Sequence, residues 1–244
     1  MNIKFKNELE NIIVSVLQRF DLCSYRDIFR LGNYDKKNVE IKREQVRYTL
    51  ESMERKGTIG KRKLLGKNIF FLKNRERRVD SFLCFLKDRI VEMLSKRMLC
   101  HTAEILSELE RFNIGRGAAY LILRELSISG KVHEIFGVSY KGNVFRLYYL
   151  PKKKDIIEKH IKLAKDYVMY KKLVFVDQKN LKEYRSFLIR SYKREYELPT
   201  TREFKYILSH LSYLGEINQI YFIEGFPFAP PGYATKLQNL LGYG

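Results

Sequence analysis

The strongest constraint in this chain is a segment that occurs three times. Residues 46–59 (VRYTLESMERKGTI), 119–132 (AYLILRELSISGKV) and 204–217 (FKYILSHLSYLGEI) align without a gap. Apolar residues coincide at Val46, Ala119 and Phe204, at Leu50, Leu123 and Leu208, and at Met53, Leu126 and Leu211. Positions i, i+4 and i+7 share one face of an α-helix, so each copy predicts a helix with one buried stripe. Gly57, Gly130 and Gly215 fall together four residues later, where a left-handed helix stop is expected. Ile59, Val132 and Ile217 close the copies, and a β-branched residue there suits the start of a strand on the same core.

The flanks extend the pattern. From Gly60 to Leu72 the chain reads as a β-hairpin with a basic, glycine-containing tip. His133 to Pro151 reads the same way, with its tip at Ser139 to Asn143 and its return strand at Val144 to Leu150. After Ile217 the return is less regular: Ile220 to Ile223, then Gly225 and the proline-rich stretch Phe226 to Tyr233. Two further helical patterns precede each copy. They are Phe5–Phe20 and Tyr25–Leu31 (Ser24 at the cap), Asp80–Met98 and Thr102–Leu109 (Thr102 at the cap), and Asp155–Tyr170 and Leu181–Tyr196, with a short strand at Leu173–Val176 between the last two. Thr200 and Glu203 have capping-box spacing before the third repeat helix.

Three helices followed by a β-hairpin resemble the winged helix-turn-helix superfamily, and the resemblance covers nearly the whole chain. It implies an α+β, mostly helical fold of three tandem winged-helix units, at residues 1–78, 79–153 and 154–244, the third irregular. Basic hinges are expected at Arg75-Glu76-Arg77-Arg78 and Lys152-Lys153-Lys154.

Charge gives the partner class. The chain carries 47 Lys and Arg against 28 Asp and Glu, a net charge of +19, which suits a polyanion. Residues 1–78 hold +10 of this, against +4 in 79–153 and +5 in 154–244, so the first unit is the most basic. No apolar run approaches the roughly 18–20 residues of a spanning helix, so no membrane partner is expected. The N-terminal residues run into Glu8 and Glu10 rather than an apolar stretch, and no secretory signal is expected. Cys23, Cys84 and Cys100 form neither a zinc-ligand pair nor a disulfide framework. A reducing, cytoplasmic or otherwise intracellular setting is the expectation.

In proteins of the winged-helix kind the third helix enters the major groove and the wing touches backbone or minor groove. The resemblance therefore directs attention to the helix face opposite Val46, Leu50 and Met53. Gln45, Arg47, Tyr48, Ser52 and Arg55 lie there, with Lys42 and Arg43 at the helix start and Lys61, Arg62, Lys63 and Lys67 in the wing. These residues supply donors for phosphates and base edges. The same face holds Glu44 and Glu51, as a solvated, salt-bridged helix would. In the third unit the equivalent set is Arg202, Lys205, Tyr206 and Ser209. In the second unit Leu121 and Ile128 replace polar readers, so that helix is expected to pack against another unit or form a homodimer interface.

Signatures of chemistry are absent. There is no phosphate-cradling Gly-x-x-x-x-Gly-Lys-Ser/Thr run, and His101, His133, His160 and His210 are scattered. Asp177 with Lys179, and Glu195 with Glu197, form no recognisable nuclease set. No cofactor, metal or catalytic residue is expected. The leading expectation is double-stranded DNA binding in transcription regulation. The alternatives are a plasmid or viral replication initiator, a winged-helix assembly protein of a transcription or chromosome complex, and a DNA-processing nuclease. Tyrosines interleaved with lysines also leave single-stranded nucleic acid open as a partner.

Overall fold

The nine apolar helix residues shared by the three repeats are each at most 2% exposed, in a computed structural model that describes residues 3–34, 42–139, 142–171, 175–176, 178–192, 198–217 and 221–222. The element order is α1 (Ile3–Arg19), β1 (Cys23–Ser24), α2 (Tyr25–Tyr34), α3 (Arg43–Arg55), β2 (Ile59–Leu64), β3 (Lys67–Leu72), α4 (Glu76–Ser95), β4 (Cys100–His101), α5 (Thr102–Glu110), α6 (Arg116–Ile128), β5 (His133–Val138), β6 (Val144–Tyr149), α7 (Lys154–Lys171), β7 (Phe175–Val176), α8 (Gln178–Tyr192), α9 (Thr201–Tyr213) and β8 (Tyr221–Phe222). The fold is α+β and mostly helical.

The repeat helices are α3, α6 and α9. After each, the shared glycine takes a positive φ of 70–71°, the left-handed stop that a side chain would strain. Two antiparallel three-stranded sheets follow one plan, β1-β3-β2 and β4-β6-β5. In each, a two-residue strand joins the return strand of a hairpin, with Cys23 opposite Phe70 and Cys100 opposite Tyr148. The β2–β3 hairpin turns through Leu65 (φ 51°) and Gly66 (φ 74°), two consecutive left-handed residues as a tight hairpin turn demands.

The chain divides into two compact units: Met1–Met93 with Ala103–Lys131, and Leu94–Thr102 with Val132–Gly244. The elements of the middle repeat are thus shared out, α5 and α6 going to the first unit and the β4-β6-β5 sheet to the second. The first unit buries Leu9, Ile13 and Leu17 of α1 against Ile28, Val46, Leu50 and Phe70. The second centres on Leu147, Ile157, Ala164, Leu208 and the stacked rings of Tyr184 and Phe204, whose centroids are 4.0 Å apart.

Three local expectations change. The two basic segments, expected as hinges, each run into a helix start. Arg75 donates to the Leu17 carbonyl and pairs with Asp21, and Lys153 is buried with its ammonium donating to the Arg97 carbonyl at 2.9 Å. A buried lysine needs such an acceptor, and the charge count alone could not reveal it. Thr102 does not cap α5; its hydroxyl donates to the Arg146 carbonyl of β6 instead. In the third repeat the strand after α9 pairs in parallel with β7, Phe175 opposite Tyr221, rather than continuing as a described hairpin. The proline-rich stretch 226–233 lies outside the described residues, as do Asp177 and the pair Glu195 and Glu197.

Candidate nucleic-acid interface

In the first unit, the local sequence settles where the α3 side chains point. Val46, Thr49, Leu50 and Met53 face the core. That turns Arg43, Glu44, Arg47, Tyr48, Glu51 and Arg55 outward, Tyr48 to 66% exposure. Lys42 precedes the helix and is exposed; its N–H donates to the Gln45 side chain at 3.0 Å, so Gln45 closes the helix end and is half-buried, as is Ser52. Arg43 lies over the Phe29 ring at 5.4 Å, and its carbonyl accepts the Tyr25 hydroxyl at 2.6 Å. Burial pushes the Tyr25 phenol above its ordinary value, against the pull of Arg43 and Arg47.

Beside α3, three consecutive residues of β2, Lys61, Arg62 and Lys63, are exposed, as is Lys67 at the start of β3. Several of these cations hold a carboxylate at rest: Arg47 with Glu51 (3.1 Å), Lys61 with Glu54 (2.7 Å) and Arg62 with Asp80 (2.8 Å). Exposed pairs of this kind contribute on the order of 0–1 kcal/mol, so a phosphate can replace the carboxylate at little cost.

Beside these residues the first unit has a cleft of about 940 Å³. Arg26 and Arg30 of α2, Arg47, Lys61, Lys67 and Arg116 of α6 line it, with Tyr25 and Tyr120. Arg26, Arg30 and Arg116 lie outside the set that the sequence pattern points to. The i, i+4 spacing of Arg26 and Arg30 was a visible signal of a shared helix face. Their proximity to Arg116, some ninety positions away, had no local signature.

What holds Arg116 there is Asp27. This buried carboxylate accepts four hydrogen bonds: Ser24 N–H and Ser24 hydroxyl (both 2.8 Å), Gly117 N–H (2.7 Å) and Ala118 N–H (3.0 Å). It caps its own helix region through Ser24 and the N-terminus of α6 as well, where Gly115 offers no capping side chain. The approach needs glycine: a Cβ on Gly115 would stand 2.5 Å from the Asp27 carboxylate, and one on Gly117 2.2 Å from the Ser24 hydroxyl. The chain before α6 is tied on as well, with Asp21 N–H donating to the Asn113 carbonyl and Gly115 N–H to the Leu22 carbonyl.

The α6 apolar pair separates. Leu121 is 7% exposed and lies at the cleft within the first unit, whereas Ile128 is 64% exposed. They do not form one exposed stripe, because α6 packs on α2 and β1 along the side that carries Ala118 and Leu121.

In the second unit, Arg202 is exposed and Lys205 and Ser209 are half-buried. Tyr206 was expected on the outer face but is buried, stacked with His101 at 6.0 Å, and cannot reach a nucleic acid there. The wide buried face of α9 extends to Glu203, whose carboxylate accepts Thr200 N–H at 2.7 Å and Met98 N–H at 2.5 Å. Burial, with Arg202 nearby, lowers Lys205 to about 8.

Among the described residues, no group of three or more His, Cys, Asp and Glu stands where it could hold a metal ion, and no helix is long and apolar enough to cross a membrane. No protein-family model matches the chain, and no curated protein matches its sequence.

Proposed function

We propose that this chain is a winged-helix protein that binds double-stranded DNA and acts in transcription regulation, with the first unit as its main contact. The observation that carries the reading is the exposed basic surface formed by α3 and the β2–β3 hairpin. Arg47, Tyr48 and Arg55 project from the helix, and Lys61, Arg62, Lys63 and Lys67 from the hairpin. The order helix, strand, helix, helix, strand, strand, with the first strand beside the third, supports the resemblance and occurs twice. In this reading α3 lies in the major groove, its Arg47 and Tyr48 near base edges, while the hairpin lysines neutralise phosphates. Arg202, Lys205 and Ser209 of the second unit are the subsidiary contact. The experiment is duplex binding by fluorescence anisotropy across salt concentrations. A phosphate-neutralising surface gives log K falling linearly with log salt, by roughly 0.9 per phosphate contacted.

A further inference from the structure

We propose that the first unit's cleft binds a single DNA strand, beside the duplex held by α3 and the hairpin. This rests on the reading that this face of the first unit meets nucleic acid.

The cleft carries an excess of positive charge. Three acids line the cleft and all three are already engaged: Asp27 in its four hydrogen bonds, Glu51 with Arg47, and Glu54 with Lys61. Against them stand Arg26, Arg30, Lys67 and Arg116, all exposed at the surface. Among the described residues Arg26, Arg30 and Lys67 have no carboxylate partner, and Arg116 has only Glu110 at 3.5 Å. A concave surface with such an excess of positive charge draws in the opposite ion.

The cleft is too small for a duplex. A volume of about 940 Å³ equals a cube about 10 Å on edge. The major groove alone is about 12 Å wide, so a double helix cannot enter, whereas one backbone with its bases can. Its lining also suits a single strand. Tyr120, 36% exposed, and Tyr25 stand among the cations. Aromatic faces between backbone-tracking cations are the arrangement that holds single strands, because every base has a face to stack. Arg26 and Arg30, four residues apart on one face of α2, are spaced to meet successive phosphates of such a strand.

The test is anisotropy on the full chain with three probes: a blunt duplex, the same duplex with a short single-stranded overhang, and the strand alone. The overhang is expected to raise affinity by about fivefold or more. The double variant R26A/R30A should remove that gain and flatten the salt dependence of strand binding, while changing blunt-duplex affinity far less. Tyr120→Ala should weaken strand binding with the salt slope unchanged, since it removes stacking and no charge. Equal wild-type affinity for blunt and overhang probes overturns the proposal and leaves the duplex reading intact. Strand binding that survives R26A/R30A also overturns it. Strand binding through Arg26 and Arg30 without any duplex binding supports the cleft and sinks the duplex reading instead.

Discussion

The Asp27 carboxylate accepts the Gly117 backbone N–H at 2.7 Å, joining residues ninety positions apart in sequence. One side chain on α2 thereby fixes the start of α6, and with it Arg116 at the rim of the basic cleft. The first unit's surface depends on this contact, because α6 brings Arg116 and Tyr120 to the cleft beside α2, α3 and the hairpin.

Replacing Asp27 by Ala leaves the buried N–H groups of Ser24 and Ala118, and the part-buried one of Gly117, without acceptors. A loss of about 3 kcal/mol is expected, combining a lost helix cap with unsatisfied donors. Gly117→Ala gives a sharper test through its sign. In an open helix, Gly to Ala stabilises by up to about 1 kcal/mol. Here the new methyl meets the Ser24 hydroxyl, so the variant should be less stable. Urea unfolding of both variants checks this, and a more stable Gly117→Ala chain would contradict the contact.

The hairpin turn offers a stabilising change. Leu65 holds φ 51° and is 40% exposed, so it endures a left-handed backbone without gaining much burial. Asn-Gly is the preferred pair for such a turn, and Leu65→Asn should raise stability by about 0.5–1 kcal/mol. Unchanged or lowered urea midpoints would show that the turn is not strained.

Lys205 predicts a pH effect. The folded chain releases this proton near pH 8, while the unfolded chain keeps it to about 10.5. Between those values the unfolded state binds more protons, so this residue makes stability rise with pH. The rise should be smaller in Lys205→Gln, compared by urea unfolding at pH 7.5 and about 9.5. Identical pH dependence in the two chains would refute it.

The cysteines give a chemical check on burial. Cys23 and Cys100 are fully buried, and burial, aided by Asp27, pushes the Cys23 thiol far up. Cys84 is exposed. Alkylation of the native chain, mapped by mass spectrometry, should modify Cys84 and spare the other two. Labelling of Cys23 at a comparable rate would mean that β1 is open to solvent.

Much of the fold was legible because the repeat encodes local physics. Val46, Leu50 and Met53 fix the buried face of α3, Gly57 fixes its stop, and Ser24, Thr200 and Glu203 announce helix starts. What was not legible depends on distant partners. Ser24 reads as a helix cap, but nothing local says that Asp27 caps α6, and Gly115 and Gly117 are the only local trace of that close approach. Lys153 looked like part of a basic hinge because its acceptor, the Arg97 carbonyl, is set by tertiary packing. Tyr206 looked polar-facing because the buried face of α9 is wider than its repeat stripe. Leu121 and Ile128 share a stripe in projection, yet only Leu121 is covered. The homodimer expectation now rests on Ile128 alone, and Ile128→Glu is its clean test by sedimentation.

The most direct test of the central claim is the salt dependence of duplex binding for the wild type and the triple variant K61A/R62A/K63A. All three side chains are exposed, so the variant is expected to fold. The account predicts measurable duplex binding at low salt and a steep linear fall of log K with log salt. In the variant, affinity should drop for every sequence tried, and the slope should shrink by about two to three, roughly one per cation removed. A wild type that fails to bind duplex at low salt, or a variant with the same affinity and slope, would contradict it.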